Sequence, residues 1–534
     1  MNITSLTFLL FILAVFAVYY MIPKSFQWIV LLAASIFFYI YGGIKSVLYI
    51  LTTSVSIYVA TRGIQINFER QEEYFKANKE SLTKAERRQY QKKQQVVRKY
   101  IMLAALILNI GILCVLKYFH FALEQINGAL LLLGHGQIVD TFTFLVPLGL
   151  SFYTFQATGY LLDVYWEKCV AEKNYFKVLL FISFFPQITQ GPISNYQQLS
   201  TELFAEHRLE YQNYTRGFQR MIWGFVKKML LANILANYVQ DVFSNYSQYT
   251  GVTVFLGAVM YSIQIYADFS GYMDIMCGFC EVLGIHLTEN FERPYFSKSI
   301  AEYWRRWHIS LGTWFKNYIY YPIAISNWNR KLAKVVKVRY GKRLGDTIPA
   351  SIALVVVWFA TGLWHGASWA YIVWGGVNGL FIIFSLWMEP VYDKTKKTLR
   401  IDESKWLWRA FQTIRTFILV TFIKVLPEVG TLSQGVGLIK RIFTNSAFPR
   451  SLRALFPFIN FSDIEDLMDF GIVILITMML FCVSLRQRKR AVRDDFNKLP
   501  TLIRMCALSM AVIVIVTFGV KASYGMGGFM YADF

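Results

Sequence analysis

ASIALVVVWFATGLWHGASWAYIVWGGVNGLFIIFSLWM, residues 350–388, holds no Asp, Glu, Lys or Arg, so His365 is its one readily ionisable side chain. A run this long and apolar reads as membrane-spanning, because a helix of about 20 apolar residues crosses the hydrocarbon core. Within it, GLWHGAS (362–368) sets an imidazole between Gly362 and Gly366. Polar groups at membrane depth are costly and face a cavity or a partner, which makes His365 a candidate functional residue. The structural alternative is a neutral imidazole satisfied by one backbone carbonyl, since the neutral ring is far cheaper to bury than an ion. Glycines permit close backbone approach and helix breakage, so the ring is expected where something narrow passes.

The rest of the chain agrees with a membrane setting. With 534 residues, 55% of them apolar and 17% aromatic, it carries more apolar surface than one soluble domain covers. Apolar runs at 5–21, 27–41, 46–61, 101–118, 143–165, 176–190, 252–266, 350–388, 411–425, 469–485 and 502–520 predict an all-α polytopic protein of about eleven spans, the short ones re-entrant. The first run lacks a basic leader and a small-residue cleavage site, and predicts an uncleaved span. No repeat or long linker marks a separate soluble domain, so 1–534 reads as one membrane domain: N-terminal spans to 140, a core over 141–390, and C-terminal spans over 391–534. The core is interrupted by PQITQGPISN (186–195), IYADFSGYMD (265–274) and ENFERPYF (289–296). Irregular backbone at membrane depth is tolerated only where protein buries it or water fills a cavity, so a site is expected there.

The net charge of +21 does not point to nucleic acid, because Lys and Arg gather between apolar runs, as orientation of a polytopic protein requires. The segment 62–99 predicts a basic helical loop in the cytoplasm, which puts the N-terminus outside. Basic loops follow at 330–343, 394–409 and 486–504, the first able to lie on anionic lipid. Cys277 and Cys280 form a C-x-x-C, but no second pair completes a metal set and no strand precedes it, so helix packing is the expected role.

YWRRWHISLGTWFKNYIYYP (303–322) is the densest cluster of chemistry-bearing residues. Read as a helix, it puts Trp304, His308 and Leu311 on one face, with Arg305 pointing away, and predicts an amphipathic interfacial element. His308 taken alone is equally well structural or functional. No H-E-x-x-H, third histidine at ligand spacing or neighbouring acidic cluster supports a metal, and no G-x-S-x-G supports a serine nucleophile. Proton handling remains, either as a general base or as a transporter relay. Asp268 and Asp274 are candidates to take part in a relay, to orient a histidine or to cap a helix.

SFYTFQATGYLLDVY (151–165), FFPQITQGPI (184–193), IQIYADFSGYMDIMCG (263–278), LGIHLTENFERPYF (283–296), the 303–322 stretch and GLWHGASWAYIVWGGVNG (362–379) together resemble the membrane-bound O-acyltransferases, in particular their alginate O-acetyltransferase branch. The closing GGFMYADF (527–534) resembles the family's tail more weakly. The resemblance implies a ring of tilted helices around a tunnel, His365 as the catalytic histidine, and His308 as the second histidine of the site. Trp304, Arg305, Arg306, Trp364, Asp268 and Asn378 are the expected binding or supporting residues. Asn378 is a departure: relatives often carry a histidine there, and an amide cannot act as a base at neutral pH. His120, His135, His207 and His286 lie outside both motifs and receive no catalytic role.

The expected activity is transfer of an acyl group, most simply acetyl, from a cytoplasmic thioester donor such as acetyl-CoA to hydroxyls of an exported or cell-envelope polysaccharide. No bound cofactor, metal or nucleic acid is expected. Membrane lipids and an extracytoplasmic accessory acyltransferase are the expected partners, and the bacterial cytoplasmic membrane the location. D-alanyl transfer to teichoic acid and peptidoglycan O-acetylation fit the same motifs. From other classes, a flippase or transporter would leave the donor intact, and a scaffold would tolerate loss of both histidines.

Overall fold

Long apolar runs with few charges become long helices, and the broken middle of the chain becomes short ones. A computed structural model describes residues 1–134, 144, 146–445 and 448–519; the GGFMYADF tail and His135 lie outside them. Among the described residues the secondary structure is helical apart from one isolated bridge between Phe291 and Trp307. Among the described residues eight helices are long and apolar enough to cross a membrane, and Leu6–Met21 is a shorter apolar one.

The count differs from the expected number of about eleven for local reasons. The run near 176–190 breaks at Phe184 into Tyr175–Ser183 and Phe185–Ile188, and the run before it yields the short helix Leu150–Tyr165. Trp406–Val425 is long enough but carries Arg409, Arg415 and Lys424. The run 350–388 contributes two helices, Lys342–His365 and Trp369–Thr398, which pack against each other.

The chain forms two compact units. The first comprises Met1–Glu210 with Leu283–Leu287. Here the predicted basic helical segment 62–99 covers the facing ends of two helices, Ser46–Ala77 and Lys84–Leu132, and the turn of the hairpin they form. Thr83 caps the second helix through its hydroxyl, which accepts from the Glu86 N–H at 3.3 Å, while the Glu86 carboxylate accepts from the Thr83 N–H at 2.9 Å. Two otherwise orphaned donors are thereby satisfied at the surface. Arg98 is buried between the two helices, donating to Asn67 Oδ1 at 2.9 Å and Gln71 Oε1 at 3.1 Å, with Phe68 3.8 Å below its guanidinium. The irregular 186–195 piece is also buried, and Gln187 reaches across it to donate to the Ser194 hydroxyl at 2.6 Å.

The second unit comprises Tyr211–Val282 and the chain from Thr288 on. Tyr211–Phe225 runs into a π-helical segment, Val226–Ala232, whose widened turn is closed by Asn233 N–H donating to the Lys228 carbonyl five residues back. Both adjacent lysines in that segment meet carboxylates of the Gly251–Val282 helix: Lys227 lies 2.6 Å from Asp274, and Lys228 pairs with Asp268. Arg220 bridges Asp274 and Glu289 at 2.9 and 2.6 Å. Charges buried this deeply persist only when compensated. Cys277 and Cys280 are buried free thiols on the same helix.

Candidate functional site

Two helix breaks in the second unit carry the two motif histidines. The continuous helix expected over 303–322 is not formed: Ile300–Arg306 ends, and Ile309–Phe315 begins after His308. Neighbouring backbone outcompetes the helix for its own hydrogen bonds. Ile309 N–H donates to the Asn290 carbonyl at 3.1 Å, the Arg306 carbonyl accepts from Glu292 N–H at 3.0 Å, and Ser310 N–H is taken by Asn290 Oδ1 at 2.9 Å. His308 therefore adopts left-handed backbone, φ 50°, a region in which histidine is one of the more tolerated side chains. The single face proposed for Trp304, His308 and Leu311 is lost with the helix. His308 is only 1% exposed, and burial lowers its imidazole from the usual 6.5 to about 3, so it is neutral at physiological pH.

His365 is the last residue of Lys342–His365. Gly366 turns extended, and Ser368 restarts the chain as a helix by accepting from Tyr371 N–H at 3.4 Å. The glycines serve close approach, as expected. A Cβ at Gly362 would lie 2.6 Å from the Tyr371 carbonyl oxygen, one at Gly375 would lie 2.5 Å from that of Trp358, and one at Gly366 would enter the Tyr371 ring.

These breaks bring the motifs together through aromatic rings. Trp364 stands between the histidines, its centroid 4.9 Å from His365 and 6.0 Å from His308. Phe269 abuts His308 edge to face at 4.9 Å, and Trp374 abuts His365 at 4.7 Å. Trp304 Nε1–H donates to Asn378 Oδ1 at 2.9 Å, and the Asn378 amide donates to the Trp374 carbonyl. Asn378 thus fixes one indole against another, a task an amide performs without a titratable proton. His365, Trp304, Trp307, Trp374, Tyr371 and Lys424 line a cavity of about 30 Å³, space on the scale of a water molecule.

The remaining predicted residues have other surroundings. Arg305 is exposed, Arg306 pairs with Glu302 at 2.7 Å, and Asp268 is buried with Lys228. Sequence reasoning passed over Lys424, although a lysine within IRTFILVTFIKV (414–425) is a signal of the same kind as His365. The other described histidines have local partners: His120 with Glu124, His207 with the Glu202 carbonyl, and His286 with the Glu202 carboxylate.

Comparison with known proteins bears on this arrangement. Residues 172–338 match the profile of the MBOAT, membrane-bound O-acyltransferase family. This segment is similar to that family. His308 falls inside the matched MBOAT segment, and His365 lies beyond its end. The chain is 32% identical over 311 residues to Probable alginate O-acetylase AlgI of Azotobacter vinelandii, covering 58% of this chain and 56% of the relative. It is 35% identical over 281 residues to the protein of that name in Pseudomonas aeruginosa (52% and 50%), and 28% identical over 317 residues to Peptidoglycan O-acetyltransferase of Helicobacter pylori (54% and 56%). The chain therefore spans about half the length of the curated relatives it matches.

Proposed function

We propose that the protein is a membrane O-acyltransferase that moves an acetyl group from a thioester donor to hydroxyls of an exported or cell-envelope polysaccharide, with His365 as general base. The observation that carries this reading is the placement of His365 at a buried helix end on a cavity, one indole away from His308. A base held there accepts the acceptor's hydroxyl proton as oxygen attacks the carbonyl, a contribution of about 10²–10⁴-fold in rate. His308, kept neutral by burial, positions Trp364 and the reacting groups. The family segment and the relatives' names support acyl transfer. Acetyl is preferred because relatives named as alginate O-acetylases reach 31–35% identity, whereas those named Teichoic acid D-alanyltransferase match at 25–29%.

In this reading the chain acts as one membrane domain in the cytoplasmic membrane, with its N-terminus outside and residues 62–99 in the cytoplasm. Acetyl-CoA or another cytoplasmic acyl thioester is the donor, and an extracytoplasmic accessory acyltransferase is a candidate partner. The test is thiol release from acetyl-CoA by purified protein given an alginate oligosaccharide. His365→Gln keeps size and hydrogen bonding but accepts no proton at neutral pH, so it should fall below about 1% of wild-type turnover at equal folded protein. Near-normal turnover would assign the base elsewhere. An intact donor with wild-type protein would favour a transporter.

A further inference from the structure

Lys424 is the penultimate residue of the helix Trp406–Val425 and is only 7% exposed. Its ammonium lies 3.7 Å from the Trp307 ring centroid, 4.9 Å from that of Tyr295 and 5.4 Å from that of Tyr303, and it donates to the Tyr295 hydroxyl at 2.7 Å. Among the described residues no carboxylate forms an ion pair with it. Glu428, one turn further on, instead accepts from the Tyr261 hydroxyl at 2.6 Å, and burial raises its carboxyl to about 7. The other deeply buried lysines of this unit, Lys227 and Lys228, each have an aspartate. A desolvated amino group held against π faces and one phenol therefore sits on the cavity that His365 also lines.

We propose that Lys424 is a further catalytic residue, whose ammonium takes the oxyanion that forms when the acceptor attacks the acyl carbonyl. The inference rests on the acyl-transfer reading above. The acceptor oxygen bonds to the carbonyl carbon, its proton passes to His365, and the carbonyl π electrons move onto oxygen beside Lys424. Collapse of that oxyanion breaks the C–S bond, and the leaving thiolate takes the proton back from the imidazolium. The products are an ester and a free thiol, with no net change in charge or oxidation state. The ammonium is held before the reaction by rings that cannot neutralise it, so its charge is available where negative charge develops.

The test compares wild-type, Lys424→Met and His365→Gln proteins, purified as full chains in detergent, with acetyl-CoA as donor and an alginate oligosaccharide as acceptor. Lys424→Met keeps the apolar stem and should lower kcat by about 10²–10³-fold with the donor KM little changed, as loss of one oxyanion donor does. Its thermal midpoint should be at least that of wild type, because a buried amino group without a carboxylate partner has been replaced by an apolar side chain of similar length. A kcat within threefold of wild type would overturn the inference, as would a raised KM at normal kcat, which marks a ground-state anion anchor. If Lys424→Met does not accumulate, Lys424→Gln is measured instead; failure of both to fold would overturn the inference in favour of a structural cation. Loss of activity in His365→Gln alone would leave the base assignment standing without Lys424. An inactive wild-type protein would overturn both.

Discussion

Two helical hairpins in this protein turn in opposite ways. Between Ser46–Ala77 and Lys84–Leu132 the turn at 78–83 is largely exposed and rich in charge, and Thr83 with Glu86 satisfies the new helix from within its own sequence. Between Lys342–His365 and Trp369–Thr398 the turn at 366–368 begins at buried Gly366, beside a histidine, two indoles and a tyrosine. In the first hairpin a local cap and an exposed turn solve the end problem. In the second, the protein must supply space, through glycine, and polar partners, through Ser368 and Asn378. Reactive side chains are affordable only in the second kind of turn, where solvent is already displaced.

The sharpest way to break the contrast is to substitute glycines. Gly375→Leu would drive a side chain into the Trp358 carbonyl and Gly362, and should cost more than about 3 kcal/mol or prevent accumulation in the membrane. Gly111→Ala, in the first hairpin and with nothing within 4 Å of its added Cβ, should instead raise stability by up to about 1 kcal/mol. Unfolding in mixed micelles reads both. Equal effects would erase the distinction between the hairpins.

The buried site should also respond to acid. His308 has its folded pKa lowered, to about 3 against 6.5, so between those values the unfolded chain binds a proton that the folded chain does not. Stability then falls as pH drops below 6.5, approaching about 1.4 kcal/mol per pH unit for this one group. His308→Gln should flatten the pH dependence of the unfolding midpoint between pH 6 and 4.5 by about one proton relative to wild type. An unchanged slope would show that His308 is solvated or paired when charged.

Smaller effects are expected from single hydrogen bonds. Asn378→Ala leaves the Trp304 N–H without its 2.9 Å acceptor and should cost about 1–3 kcal/mol, with turnover reduced because Trp304 lines the cavity. Thr83→Ala removes the cap of the exposed hairpin and should cost about 1 kcal/mol without changing turnover. Comparing the two variants in one assay of activity and melting separates a bond that shapes the site from one that merely ends a helix.

What the sequence made legible follows from how local each cause is. The uncharged run at 350–388 and its glycines announce a membrane-spanning stretch broken near the histidine, because apolar length and small residues act where they stand; its division into two packed helices is a finding of the structure. The break at His308 was not legible: it is made by Asn290 and Glu292, which reach the chain only after folding, while the local pattern favours one helix. The same holds for Trp364 between the two imidazoles. Asn378 was visible as a departure, yet its role as acceptor for Trp304 depends on two helices meeting. Lys424 was legible in principle, as a charge in an apolar run, but was overlooked among basic residues that end spans.

The π-helical turn at Val226–Ala232 has a consequence for chain length. Neighbouring residues of an α-helix point about 100° apart, and those of a wider π turn somewhat less. Lys227 and Lys228 meet Asp274 and Asp268 from within that turn. Removing one residue there would restore an ordinary helix, rotate everything from Asn233 onward by about a third of a turn, and strand at least one aspartate inside the protein. This segment should therefore accept exchanges of side chain far more readily than any change in the number of its residues, a form of intolerance that a scan of point substitutions does not detect and a scan of single-codon deletions does.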